Sequence, residues 1–249
     1  MNLKSNTILI TGGSSGIGLG LAEAFHRLGN HVIIGGRRRD ALEEAVAANP
    51  GMDLIVMDTA SASSAQSAAA TVLAKHPNLN VVINNAGIQR VFDFASSIPS
   101  EDQMSEEIDT NIKGVLQVSA AFLSHLRTQP NAALINVSSG LAFLPIARFP
   151  IYCATKAFVH SFTMSLRHQL KGTGVRVIEL APPWVKTNLD ALHPSSHEGM
   201  QPMALTDFVI AAMQELASGE DELKVAGAKF LYSGGVSDRA CAVFEQINQ

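Results

Sequence analysis

The sequence predicts an α/β fold: one doubly wound parallel sheet of about seven strands, flanked on both faces by helices. Three observations predict it. Short apolar runs alternate with longer helical stretches along the 249 residues. The inner runs are almost continuous in Ile, Val and Leu, as in strands covered on both sides. A glycine-rich turn follows the first run and opens the first helical stretch.

Taken in order, strands are expected at 7–10, 31–34, 54–57, 81–83, 133–137, 175–180 and 229–232, and helices at 18–28, 41–48, 62–75, 105–128, 151–171 and 206–217. Asp40 and Glu43 have capping-box spacing ahead of the second helix, and Pro50 follows it. Pro150 suits the first turn of the long helix after the fifth strand, and Gly172 and Gly174 suit its end. No repeat or linker interrupts the pattern, so residues 1–249 are expected to form a single domain. The least regular segment, 188–205, reads either as a plain surface loop or as a substrate loop closing over a site.

Composition narrows the function. With 47% hydrophobic and 16% charged residues the chain is expected to be globular, and its net charge of −4 argues against a nucleic-acid partner. Two cysteines cannot build a disulfide framework, and the eight histidines show no His-Glu-x-x-His spacing, so no metal is expected. No run of about 18 apolar residues suggests a membrane span, and a cytoplasmic location is expected.

The first strand runs into Thr11-Gly12-Gly13-Ser14-Ser15-Gly16-Ile17-Gly18. Gly12 permits a tight turn, Gly16 lets backbone approach a pyrophosphate, and Gly18 permits close helix–strand packing. The spacing is G-x-x-x-G-x-G and not G-x-G-x-x-G, since Leu21 stands where the last glycine would be. The second strand ends in Gly35-Gly36-Arg37, with Arg38 and Arg39 behind. An NAD enzyme offers a carboxylate there to a ribose hydroxyl, whereas arginine accommodates a 2′-phosphate. Arg37 and Arg38 therefore point to NADP. Asp58, at the end of the third strand, suits either an adenine amino group or the cap of the next helix.

Tyr152 and Lys156 stand four apart on a helix and share a face. A phenol titrates near 10, too high for easy proton exchange near neutrality, and an adjacent ammonium favours its ionised form. Ser138 and Ser139 end the fifth strand, where a hydroxyl can hold a substrate oxygen. Asn111 lies inside a helical stretch, where asparagine is not favoured.

Together, Thr11 through Gly18, Asn84-Asn85-Ala86-Gly87, Asn111, Ser139, Tyr152 through Lys156, and Thr187 resemble the short-chain dehydrogenase/reductase family over nearly the whole chain. That family's serine precedes its tyrosine by thirteen positions, which selects Ser139. The resemblance implies a Rossmann-type domain with strand order 3-2-1-4-5-6-7. It also implies hydride transfer between NADPH and a carbonyl or alcohol substrate. Tyr152 would be the general acid/base, Lys156 would tune it and hold the nicotinamide ribose, Ser139 would orient the carbonyl, and Asn111 would support a proton relay. Gly12, Ser14, Ser15, Gly16, Ile17, Gly18, Arg37, Arg38, Asp58, Asn84, Ala86, Gly87, Pro182, Val185 and Thr187 would join Tyr152 and Lys156 around the cofactor. Leu141, Pro183 and Trp184 would meet the substrate with Ser139 and Tyr152. Leu141, Phe143, Leu144, Phe149 and Trp184 are apolar; they suit a substrate with apolar parts, or equally a core or subunit interface.

Departures exist. Pro182-Pro183 replaces the family's usual Pro-Gly and removes a backbone donor, and the C-terminal 228–235 lacks the usual closing motif. Both features are similar to a DltE-like branch. A homo-oligomer packed through the long helices is expected. The alternatives are a non-catalytic NADP-sensing protein and an NADP-using epimerase or dehydratase.

Overall fold

A computed structural model of the chain describes residues 1–187, 189 and 201–232. Most of the 188–205 segment therefore lies outside the described residues. Seven parallel strands form one sheet in the order β3-β2-β1-β4-β5-β6-β7, which is the expected order. They are β1 (Thr7–Thr11), β2 (His31–Gly36), β3 (Asp53–Val56), β4 (Val81–Asn84), β5 (Ala133–Val137), β6 (Arg176–Ala181) and β7 (Glu222–Lys224). The helices are α1 (Gly16–Arg27), α2 (Arg39–Ala48), α3 (Ala62–Lys75), α4 (Glu101–Ile108), α5 (Gly114–Leu126), α6 (Pro150–Gln169), α7 (Leu205–Ala217) and α8 (Ala228–Leu231).

Successive strand residues point to opposite faces, and both faces are covered. Ile8 and Ile10 of β1 enter one core layer with Phe25 of α1 and Phe208 of α7. Leu9, between them, enters the other with Phe122 of α5 and Leu166 of α6. All of these except Leu166 are fully buried, so the strands need apolar side chains at every position, which is why the runs read as continuous.

Three local expectations are revised. The seventh strand is Glu222–Lys224, and the segment expected there, 229–232, instead supplies the short helix α8. Only Leu223 of β7 is buried, so an edge strand this short carries almost no apolar signal. Helix α2 starts at Arg39 with Arg38 as its N-cap, so Asp40 and Glu43 lie inside the helix and form no capping box. The capping box occurs instead at α4, where Ser100 and Gln103 bond reciprocally. The stretch expected as one helix over 105–128 runs as α4, a π-turn at Asp109–Lys113 and α5. Pro150 does occupy the first turn of α6, and Gly172 takes a left-handed φ of +86° in the turn beyond it.

Gly18 tests the packing reason for the glycine turn. A Cβ there would meet the Gly12 carbonyl oxygen at 2.3 Å and Asn85 Nδ2 at 2.5 Å. Gly18→Ala is expected to cost about 2–3 kcal/mol in urea unfolding. Gly174→Ala, with its nearest neighbour 3.9 Å away, should change stability by less than about 0.5 kcal/mol.

Candidate active site

The carboxyl ends of the strands open onto a cleft of about 1130 Å³. It extends from the ends of β3 and β2, past the glycine turn between β1 and α1, to the ends of β5 and β6. Gly12 and Gly16 hold left-handed φ values of +66° and +54°. Such values strain most side chains, so the turn follows from the glycines. Its far side is braced across the β1–β4 junction. Thr11 Oγ1 accepts from the Asn85 and Ala86 amides at 3.0 and 3.1 Å, and Asn85 Nδ2 donates to the Thr11 and Gly12 carbonyls at 3.0 and 3.3 Å.

A second cluster forms where α6 crosses the end of β5. Ser139 caps the short helical turn after β5, its Oγ accepting from the Leu141 amide at 3.1 Å. Ser139 and Tyr152 line the same part of the cleft, and the Ser139 hydroxyl favours the ionised phenol. Lys156 Nζ donates to the Val137 carbonyl at 2.8 Å and lies 5.7 Å from the Tyr152 ring centroid. Asn111 sits in the π-turn, a feature that often marks functional positions. Its Oδ1 accepts from the Ile88 amide and its Nδ2 donates to the Ile88 carbonyl, each at 2.8 Å, with a further bond to Thr155 Oγ1 at 3.0 Å. Asn111 thus locks the loop after β4 to α6.

Burial governs the electrostatics. It raises the Tyr152 phenol far above its ordinary 10, with the Ser139 hydroxyl pulling it partway back. It lowers Lys156 to about 8. Both shifts favour the neutral forms. The phenol therefore moves opposite to the expectation from sequence, because burial of the phenol outweighs the favourable effect of Ser139.

Most residues expected at a site are gathered here. Arg37, Arg38 and Asp58 line one end, beyond β2 and β3, and Gly12, Ser14, Ser15, Gly16, Ile17, Ala86 and Gly87 line the middle. Ser139, Leu141, Tyr152, Lys156, Pro182, Pro183, Trp184, Val185 and Thr187 line the other end. Three do not line it. Gly18 packs under the turn, and Asn84 is buried in the sheet, donating to Ser119 Oγ at 3.0 Å and Asn136 Oδ1 at 2.8 Å. Asn111 stands behind the loop it holds. Asp58 does not cap α3, whose N-cap is Ser61; its carboxylate accepts from the Ala60 amide at 3.0 Å and closes the preceding turn. Of the apolar residues, Leu144 and Phe149 are buried, whereas Leu141 and Trp184 face the cleft.

Sequence reasoning passed over a buried polar chain beneath Ser139. Ser138 Oγ donates to Glu179 Oε1 at 2.5 Å, and Glu179 Oε2 meets His160 Nδ1 at 2.7 Å. The Glu179 hydrogen bond raises His160 above its ordinary value, so the pair is ionic below that point. Two signals were present: a lone carboxylate inside the apolar run 175–180, and a histidine continuing the four-residue spacing of Tyr152 and Lys156. Glu107 was also missed. It is fully buried behind the site, with Oε1 accepting from the Arg90 amide at 3.3 Å and Oε2 unpartnered.

Known proteins match this architecture. Residues 6–197 match the family model for short chain dehydrogenases. The chain is 47% identical over 190 residues to the uncharacterized oxidoreductase DltE of Bacillus subtilis, covering 76% of this chain and 75% of that protein. Among solved structures, a short-chain dehydrogenase from Burkholderia cenocepacia in complex with NADP superposes with a TM-score of 0.85 at 25% identity, over the full length of both chains. A 3-ketoacyl-(acyl-carrier-protein) reductase from Brucella melitensis complexed with NADH shares the fold, with a TM-score of 0.81 at 24% identity, covering 89% of this chain and 97% of that one. The glycine turn, the parallel sheet and the serine–tyrosine–lysine cluster thus come together with a family match across most of the sequence, and the chain belongs to the short-chain dehydrogenase/reductase family of oxidoreductases.

Proposed function

We propose that the protein is an NADP-dependent carbonyl reductase in which Tyr152 is the general acid/base. The observation that carries this is the gathering of Ser139, Tyr152 and Lys156 in one cleft continuous with the glycine turn. The residues fit a dinucleotide. Gly12 and Gly16 leave backbone exposed where a pyrophosphate needs close approach, next to the start of α1. Arg37 and Arg38 line the cleft beyond Gly36 and suit a 2′-phosphate. Arg37 also approaches Glu106 at 3.9 Å, but both side chains are about half exposed, and a solvent-screened pair of this kind holds the guanidinium weakly.

When bound, NADPH supplies the hydride; the chain supplies the proton. Ser139 Oγ donates to the substrate carbonyl oxygen and holds it toward the phenol. Tyr152 gives its proton to that oxygen as the carbonyl carbon is reduced. A phenol that burial keeps protonated is suited to this direction. Lys156, lowered to about 8, and Asn111 with the loop it anchors serve the return of a proton to Tyr152. The apolar cleft wall of Leu141, Ile146, Trp184 and Met203 favours a ketone or aldehyde with apolar parts. Residues 1–249 act as one catalytic domain, with 188–205 closing the substrate end, in a cytoplasmic homo-oligomer. No helix among the described residues is long and apolar enough to cross a membrane.

An NADPH-oxidation screen over varied ketones and aldehydes tests the assignment. Tyr152→Phe is expected to lower kcat by about 100-fold or more while leaving NADPH affinity within about twofold. Tight NADPH binding by the wild type with no turnover of any carbonyl compound would overturn it in favour of a sensor. Fluorescence titration of Arg37→Ala should show NADPH affinity reduced by about 10- to 100-fold with NADH affinity unchanged. An unaltered preference for NADPH over NADH would remove Arg37 as the discriminator.

Glu107 adds a pH dependence. Burial, offset by the Arg90 amide and guanidinium, holds its carboxyl up at about 7 against an ordinary 4.5. The folded state therefore binds this proton more tightly than the unfolded chain. That contribution is present at low pH and is lost as pH rises from 4.5 through 7. Relative to wild type, Glu107→Gln should gain on the order of 2–3 kcal/mol of stability between pH 4.5 and about pH 8, read by denaturant unfolding.

A further inference from the structure

The opposite edge of the sheet, where the parallel strands begin, carries a group of side chains that the cleft does not use. His31 opens β2, Asp53 opens β3, and His76 caps the carboxyl end of α3. From these we propose a zinc site: the Nε2 atoms of His31 and His76 and one carboxylate oxygen of Asp53 would supply three ligands, with water as the fourth.

The geometry carries the proposal. Asp53 Oδ2 lies 2.9 Å from His31 Nε2 and 3.2 Å from His76 Nε2, and the two imidazoles sit with centroids 4.6 Å apart. The ligating atoms of the three residues all lie within 4.8 Å of one another. In a tetrahedral zinc site with bonds of about 2.0–2.1 Å, ligand atoms are separated by about 3.4 Å. The two carboxylate–imidazole separations lie within about 0.5 Å of that value, and the two imidazole nitrogens lie within 4.8 Å of each other. Two imidazoles with one carboxylate select zinc over magnesium or calcium, which prefer oxygen throughout.

The surroundings help to orient the ligands. Lys75 Nζ takes the other carboxylate oxygen, Oδ1, at 2.6 Å and leaves Oδ2 to the two rings, as an outer partner orients a ligand. Side-chain exposures of 39%, 27% and 12% for His31, Asp53 and His76 leave an outer side open for entry and for water. Since Lys75 offsets the single carboxylate, affinity should be on the order of micromolar and not nanomolar. A bound ion would tie β2, the short edge strand β3 and the end of α3 together. The ligands come from three separate elements, so the bound ion would stabilise only the folded chain.

Zinc chloride titration of the purified full chain, stripped with chelator, tests the site by calorimetry and thermal melting. One zinc equivalent should bind, and excess zinc should raise Tm by about 3–5 °C. His31→Gln and His76→Gln should each weaken that equivalent at least tenfold and abolish the Tm rise. His168→Gln, on α6, should leave both intact, and NADPH affinity should be equal in all four proteins. Absence of a saturable equivalent, or a loss below tenfold in both His31→Gln and His76→Gln, overturns the proposal.

Discussion

The 2.8 Å bond from Lys156 Nζ to the Val137 carbonyl ties the helix that carries Tyr152 to the strand that delivers Ser139. Lys156 is 5% exposed, and a buried ammonium needs partners to remain there. The bond holds α6 against the end of β5, where Ser139 and Tyr152 line the same cleft. Asn111 repeats the device on the other side, fastening the loop after β4 to α6 through Ile88 and Thr155. The π-turn that carries Asn111 breaks the regular helical register, and Asn111 Oδ1 lies within reach of the backbone at Gly87.

The cleft itself follows from topology. β1 and β4 are neighbours in the sheet, and their following segments turn to opposite faces, so a crevice opens between them. Thr11 and Asn85 close that junction with backbone bonds, so the glycine turn keeps its shape without bulky side chains of its own. Gly18 packs beneath it, and its role is spatial: the helix approaches the strand so closely that no Cβ fits.

Beneath the site the interior is unusually polar for a parallel sheet. Glu179 is 1% exposed and takes bonds from Ser138 and His160 on its two oxygens, which offsets the cost of burying its charge. His160 in turn stacks edge-on with Phe143, and Phe143 meets Tyr232 in the same manner. The polar chain thus extends from the residue beside Ser139 to the aromatic cluster against α8. Glu107 behaves differently, since one oxygen has no partner and the carboxyl is pushed upward.

Alternation of apolar and helical runs, the glycine turn, and Tyr152 four residues before Lys156 were legible because each depends on neighbours close in the chain. Such patterns carried the resemblance to the family, and the resemblance in turn implied the strand order. What failed depended on partners distant in sequence. β7 is recognised only by its pairing with β6, and Asn84 binds inward because Ser119 and Asn136 face it. The direction of the Tyr152 shift reverses because folding removes water from the phenol. His31, Asp53 and His76 show no ligand spacing along the chain. They converge because β2 and β3 pair in parallel and α3 returns to the edge where both begin. Sequence periodicity determines which elements form and which face each residue takes; only packing decides which distant side chains meet and how much water is left between them.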